Sequence, residues 1–241
     1  MMRARLVKAG LSDVRLSHVW ADLGRRLFEV LAMERFLALV DFHDQAIERF
    51  HRAHSEGHSV VVATSHLGNW ELMAAALVRA GFIVKSIAAH PSPGPVHHAL
   101  EQHRKKFGIC VFQRGQGGAR EAVNHLKKGG YVGLFCDQCT SERSTPQIFM
   151  GRPAPTPTTL NRLTQLTDSR ILLLWNLRRP DGRYRIYAEN ITAENVGDPG
   201  AWIQRRLSEL VEAHPEQWVW LHDRWADEPR KARVEPVTEL S

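Results

Sequence analysis

Short apolar runs alternate with helical periodicities through the middle of this sequence, and each run gives way to a polar turn before the next helix begins. The first run, Val60-Val-Val-Ala63, has no polar residue at alternate positions, so a strand built from it must be covered on both faces. A helix begun near Asn69 stops at Gly81, and further strands are predicted at 82–88, 109–113 and 131–136, separated by helices at 96–107 and 116–128, the latter ended by Gly129-Gly130. This rhythm predicts an α/β fold: a single domain with a largely parallel central sheet flanked by helices. Runs at 170–177 and 184–188 flank Arg179-Pro-Asp-Gly-Arg183, whose Pro-Asp-Gly is a turn signal, so these two strands are expected to pair directly.

Outside that core the sequence divides into N-terminal helices over 1–58, an α/β region over 59–225 and a polar tail over 226–241. Residues 12–31 form an amphipathic helix with Leu16, Val19, Trp20, Leu23, Leu27, Val30 and Leu31 on one stripe and Arg15, Asp22, Arg25, Arg26 and Glu29 elsewhere. Two roles fit such a stripe: packing on the sheet, which is the default, or lying in a membrane interface. A second helix is expected over 33–50. Residues 140–155 read as a long polar, Pro-rich loop, followed by a helix capped by Thr156 with Pro157 at its first position. Asp198 and Pro199 open a last helix with Ile203, Leu207, Leu210 and Val211 inward, and Pro215 ends it.

With 241 residues and 43% hydrophobic content, the chain can bury one sizeable core. A net charge of +6 favours an anionic partner such as a phosphorylated glycolipid, a membrane surface or an acidic protein. The basic residues are scattered and no nucleic-acid-reading signature is present, so no nucleic acid is expected. Three cysteines argue against a disulfide framework, and no apolar run is long enough to span a bilayer. His51, His54 and His58 have no acidic or thiolate partner at ligand spacing, and Cys136-Asp-Gln-Cys139 supplies only half a zinc or redox site, so no metal is expected.

The stretch Ser59-Val-Val-Val-Ala-Thr-Ser-His-Leu-Gly-Asn-Trp-Glu-Leu-Met73 reads as strand, turn and helix. It puts His66 at the C-terminal lip of a strand, where open α/β sheets bind ligands, and Glu71 in the first turn of the next helix. Folded across the turn, the two can pair as a general base braced by a carboxylate. Alternatively, Glu71 serves the helix dipole and His66 is a turn residue.

His66-Leu-Gly-Asn-Trp-Glu71 resembles the His-x4-Asp/Glu motif of the lysophospholipid acyltransferase superfamily, and the bacterial late acyltransferases of lipid A biosynthesis in particular. Three later segments repeat the likeness in order: Leu126-Lys-Lys-Gly-Gly-Tyr-Val-Gly-Leu-Phe-Cys-Asp-Gln138, Phe149-Met-Gly-Arg-Pro-Ala-Pro-Thr156 and Pro215-Glu-Gln-Trp-Val-Trp-Leu-His-Asp-Arg-Trp225. Asp223 departs from the pattern, since relatives often have Arg there. The resemblance covers about residues 12–225 and implies a glycerol-3-phosphate acyltransferase-like fold. It implies transfer of an acyl group from a thioester, on acyl carrier protein or CoA, to a hydroxyl of a lipid A precursor or related glycolipid, with no cofactor beyond that co-substrate. His66 would be the base and Glu71 its partner, with the Gly68 and Asn69 amides as oxyanion donors. Arg104 and Arg114 match arginines of the relatives and would hold a phosphate, while a solvated basic face is the alternative for Arg104-Lys-Lys106. Asp137 would position an Arg or a sugar hydroxyl, or be structural.

Those relatives generally carry an N-terminal membrane anchor; none is expected from this sequence, and peripheral attachment to the cytoplasmic face of the inner membrane is expected instead. The seven tryptophans are expected to be mostly core, with Trp202 and the C-terminal group as candidates to touch headgroups. Other readings stay open: a lysophospholipid, a phosphoinositide mannoside or an amino-acid lipid as acceptor, a His-dependent hydrolase, or a non-catalytic basic module that binds a membrane surface.

Overall fold

A computed structural model describes residues 1–88, 95–113, 116–138, 143–191 and 196–225. Its strands are β1 (Val40–Phe42), β2 (Val60–Thr64), β3 (Val84–Ala88), β4 (Val111–Gln113), β5 (Tyr131–Phe135), β6 (Ser144–Phe149), β7 (Arg152–Pro157), β8 (Arg170–Arg178) and β9 (Tyr184–Ile191). Its helices are α1 (Met2–Lys8), α2 (Leu16–Leu31), α3 (Met33–Leu37), α4 (Asp44–Ser55), α5 (Trp70–Arg79), α6 (Pro95–Lys106), α7 (Gln116–Leu126), α8 (Thr159–Thr167) and α9 (Pro199–Ala213).

Seven strands form one sheet in the order β1-β9-β8-β2-β5-β3-β4, parallel throughout except where β8 meets β9. The largely parallel α/β architecture is therefore the one observed. β2 is central and wholly buried, and its side chains divide as a pleat requires. Val61 and Ala63 join a cluster with Val132, Leu173, Leu207 and Trp218, while Val60 and Val62 join one with Phe50, Leu72, Tyr131 and Leu172. The hairpin β8–β9 turns at 179–183 as expected, with Arg178 opposite Tyr184.

Three local expectations are corrected. The helix expected over 33–50 is interrupted by β1, because Val40, Asp41 and Phe42 pair in parallel with Tyr184, Arg185 and Ile186 at the sheet edge, and that pairing outweighs local helical preference. The expected loop over 140–155 contains the antiparallel hairpin β6–β7, with Met150 (φ 49°) and Gly151 (φ 71°) making its two-residue turn. Its prolines are tolerated because both members of a two-stranded sheet are edge strands. Thr156 ends up in β7 rather than capping a helix, and its hydroxyl donates to the Ala154 carbonyl at 3.0 Å. The cap at Asp198 forms as expected, accepting from the Gly200 amide at 2.9 Å.

The most informative correction concerns α2. Its buried residues are Val19, Asp22, Arg26 and Glu29, while Trp20, Leu27, Phe28 and Leu31 are more than half exposed. The apolar stripe is therefore split: Val19 is buried and Leu16, Leu23 and Val30 are half-buried, while its other edge faces outward, and Asp22, Arg26 and Glu29 pack inward. Among the described residues no helix is long and apolar enough to cross a membrane. The tail expected over 226–241 lies outside the described residues.

Candidate active site

Register places the site. β2 and β5 are parallel neighbours with Thr64 opposite Phe135, so the residues two positions beyond each lip, His66 and Asp137, leave the sheet side by side. The Asp137 carboxylate accepts from the His66 backbone N–H at 2.7 Å and lies 2.9 Å from the ring Nδ1. Its Oδ2 also accepts from the Trp218 indole N–H at 2.8 Å. Only 1% of the Asp137 side chain is exposed, against 19% for His66.

Burial alone would raise the Asp137 pKa, but the adjacent His66 charge, its two N–H donors and the Trp218 donor hold the carboxyl below the usual carboxylate range. An ionised carboxylate only accepts hydrogen bonds, so Nδ1 carries a proton in either state of the ring, and the deprotonated form has its lone pair on Nε2. The ring is fixed from both sides. Phe135 stacks on it at 4.2 Å between centroids, and Trp70 meets it edge-on at 4.9 Å.

The turn itself is held by the C-terminal segment. Leu67 bridges to Trp218, the Val219 amide donates to the His66 carbonyl at 3.2 Å, and the Gly68 amide donates to the Gln217 carbonyl at 2.8 Å. Gly68 has φ 65°, and a Cβ there would stand 2.0 Å from the Asn176 carbonyl oxygen, so both conformation and space demand glycine. Because the Gly68 amide is already engaged, it is not the free oxyanion donor that the sequence suggested. Asn69 is 2% exposed and caps α5, its Oδ1 accepting from the Leu72 amide at 3.3 Å. Its side chain faces the protein interior.

The expected His66–Glu71 pair is replaced. Glu71 is bound by Arg104 from α6 through a two-pronged contact, Nε to Oε2 at 3.1 Å and Nη2 to Oε1. Asp137, expected to hold an arginine or a sugar, takes the place beside the imidazole. Desolvation opposes the Arg104 charge, but the Glu71 bonds outweigh it and keep the guanidinium firmly protonated. Its Nη1 has no protein acceptor among the described residues. Arg114 lies outside the described residues.

Sequence reasoning missed the inner face of α2. Arg26 donates to the Gly68 and Gln217 carbonyls at 3.0 and 3.2 Å, pairs with Asp22 at 2.8 Å and lies over the Trp70 ring. Glu29 accepts from the Asn69 amide group at 3.0 Å and from the Tyr184 hydroxyl at 2.7 Å. The signal was present in the sequence: Asp22, Arg26 and Glu29 share a helix face at spacings of four and three.

Among the described residues no group of three or more His, Cys, Asp or Glu side chains could hold a metal. Cys136 is buried and its thiol is pushed up to about 12, mainly by desolvation, which keeps it protonated and unsuited to redox or metal chemistry. Cys139 and the His54 side chain lie outside the described residues. Two cavities of about 480 and 380 Å³ lie away from His66, one along α4, the other between β6 and α9.

A largely parallel α/β sheet presenting an imidazole and an ionised carboxylate at adjacent strand lips defines a class of proteins with a proton acceptor at the mouth of the sheet. The chain belongs to the bacterial lipid A biosynthesis acyltransferase family, whose family model matches residues 25–227. It is also 24% identical over 212 residues to a phosphatidylinositol mannoside acyltransferase of Mycobacterium tuberculosis (strain CDC 1551 / Oshkosh), and equally to the protein of that name in strain ATCC 25618 / H37Rv. The match covers 84% of this chain and 64% of each relative, so the chain spans just under two thirds of their length.

Proposed function

We propose that the protein is an O-acyltransferase that moves a fatty acyl group from a thioester, carried on acyl carrier protein or CoA, to a hydroxyl of an anionic glycolipid such as a lipid A precursor. The observation that carries this reading is the geometry of His66: Nδ1 is 2.9 Å from a buried, ionised Asp137, while part of the ring stays open to solvent. A hydroxyl is a poor nucleophile near neutral pH and needs a base as it attacks. Nε2 takes the hydroxyl proton as its oxygen attacks the thioester carbonyl, and Asp137 stabilises the imidazolium that forms. As the tetrahedral intermediate collapses, the C–S bond breaks and the proton on Nε2 passes to the departing sulfur. No covalent enzyme intermediate is required.

Arg104, held by Glu71, has its Nη1 donors left for a phosphate of the acceptor or of the donor's carrier. A phosphoinositide mannoside is the second acceptor reading, favoured by the name of the M. tuberculosis relatives. Either acceptor places the protein at a membrane surface, as a peripheral protein. The test is incubation with an acyl-thioester, with and without each glycolipid, followed by mass spectrometry of the lipids. Acylated glycolipid supports the reading. Free fatty acid regardless of acceptor would make the protein a hydrolase, and no turnover with any acceptor would favour a binding module.

A further inference from the structure

Four of the ten exposed large apolar residues among the described residues lie on one helix: Trp20, Leu27, Phe28 and Leu31 of α2. At about 100° per residue they fall on one stripe, opposite the face that carries Asp22 and Glu29. An apolar stripe turned to solvent is costly unless something covers it. The charges beside it identify what does. Both acidic residues of α2 point inward; at the same rotation Arg25 flanks the stripe beside Phe28, while Arg15 at the N-cap, two residues after the exposed Asp13, and Arg35 on α3 just beyond the C-terminus are exposed at the two ends of the helix. None of these three arginines is ion-paired among the described residues. The nearest exposed acidic residue beyond the C-terminus, Glu34, is neutralised by Lys106 at 2.7 Å.

We propose that this face of α2 docks the protein on an anionic lipid bilayer, with Trp20, Leu27, Phe28 and Leu31 entering the interface and Arg15, Arg25 and Arg35 meeting headgroup phosphates. An outer face of aromatic and leucine side chains rimmed by arginine has the composition of a helix lying in the membrane plane. A second copy of the chain is disfavoured as the occupant, because a two-fold contact sets each patch against itself and opposes arginine with arginine. The inner face of the same helix binds the turn behind His66 through Arg26, so docking would fix the catalytic turn relative to the surface that holds the acceptor. The inference deepens the membrane-surface part of the proposed function and rests on it.

The test is flotation with vesicles of phosphatidylcholine alone or mixed with phosphatidylglycerol. The full chain should float with the mixed vesicles, and Leu27→Ser/Phe28→Ser/Leu31→Ser should lower its partition at least about tenfold while leaving the circular dichroism spectrum unchanged. Arg15→Gln/Arg25→Gln/Arg35→Gln should lose the preference for phosphatidylglycerol. Bromine-labelled lipid should quench tryptophan emission, and Trp20→Phe should remove much of that quenching, because Trp20 is 52% exposed and the other described tryptophans are half-buried or buried. The proposal is overturned if the wild-type chain does not float, if the serine variant floats equally well, or if the wild type is a dimer that the serine variant dissociates. It is also overturned if that variant floats normally but binds acyl carrier protein less well. Acyl transfer to detergent-dispersed glycolipid, measured in parallel, separates the two claims: flotation without turnover sinks the reading of the site and leaves the surface standing.

Discussion

The two carboxylates singled out near the proposed base, Asp137 and Glu71, take different partners. Asp137, 71 residues away in sequence, touches the imidazole and takes three N–H donors from His66 and Trp218. Glu71, five residues away, turns to Arg104 on another helix. Parallel pairing of β2 with β5 brings the distant acid alongside, whereas the α5 helix carries the nearby one toward α6. Sequence separation is therefore a poor guide to partnership across a sheet lip, and strand register is a good one.

The largest effect that bears on this contrast is expected at the base. His66→Ala should lower kcat by about 10²–10⁴ with an unchanged circular dichroism spectrum; normal turnover would remove the imidazole from the mechanism. Asp137→Asn should lower kcat by roughly 10², because an amide does not stabilise an imidazolium as a carboxylate does. It should also cost about 1–3 kcal/mol of stability, since its NH2 group would face donors instead of accepting from them; denaturant melts measure that cost.

Glu71→Gln should mainly raise KM, by releasing the Arg104 guanidinium, with kcat within about threefold of wild type and a stability loss of about 1–2 kcal/mol. A kcat loss as large as that of Asp137→Asn would break the comparison and restore Glu71 as the partner of the base. The smallest effect is on acid stability. Asp137 has a folded-state pKa below its unfolded value, so its stabilisation is complete above about pH 4 and fades as pH falls through the lower, folded value. Acid titration of wild type against Asp137→Asn should show that loss in the wild type alone.

The fold was legible wherever local pattern and tertiary pairing agree. Val60-Val-Val-Ala63 could only be a central strand, and the turn at Pro180-Asp-Gly182 could only join neighbours. It was illegible where pairing overrides preference, as at Val40–Phe42, or where prolines hide edge strands, as in Arg152–Pro157. At the site, His66 and Asp137 were both singled out from the sequence, but their union was not, because nothing local says which two strand lips will be neighbours. α2 was read with its period right, but core packing, the default reading, holds for only one edge of its stripe: Val19 is buried, whereas Trp20, Leu27 and Leu31 are exposed and the buried charges were not foreseen. The tail tryptophans, considered for headgroup contact, are core residues: Trp218, Trp220 and Trp225 are each no more than 5% exposed.

One consequence follows from the way the far end of the chain closes on the turn after β2. Trp218 supplies a donor to Asp137, and Gln217 and Val219 clasp the backbone on either side of Leu67. Until residues 217–219 have docked, the turn that carries His66 lacks these contacts and Asp137 lacks its indole donor, so segments about 150 residues apart must meet before the site is fully assembled.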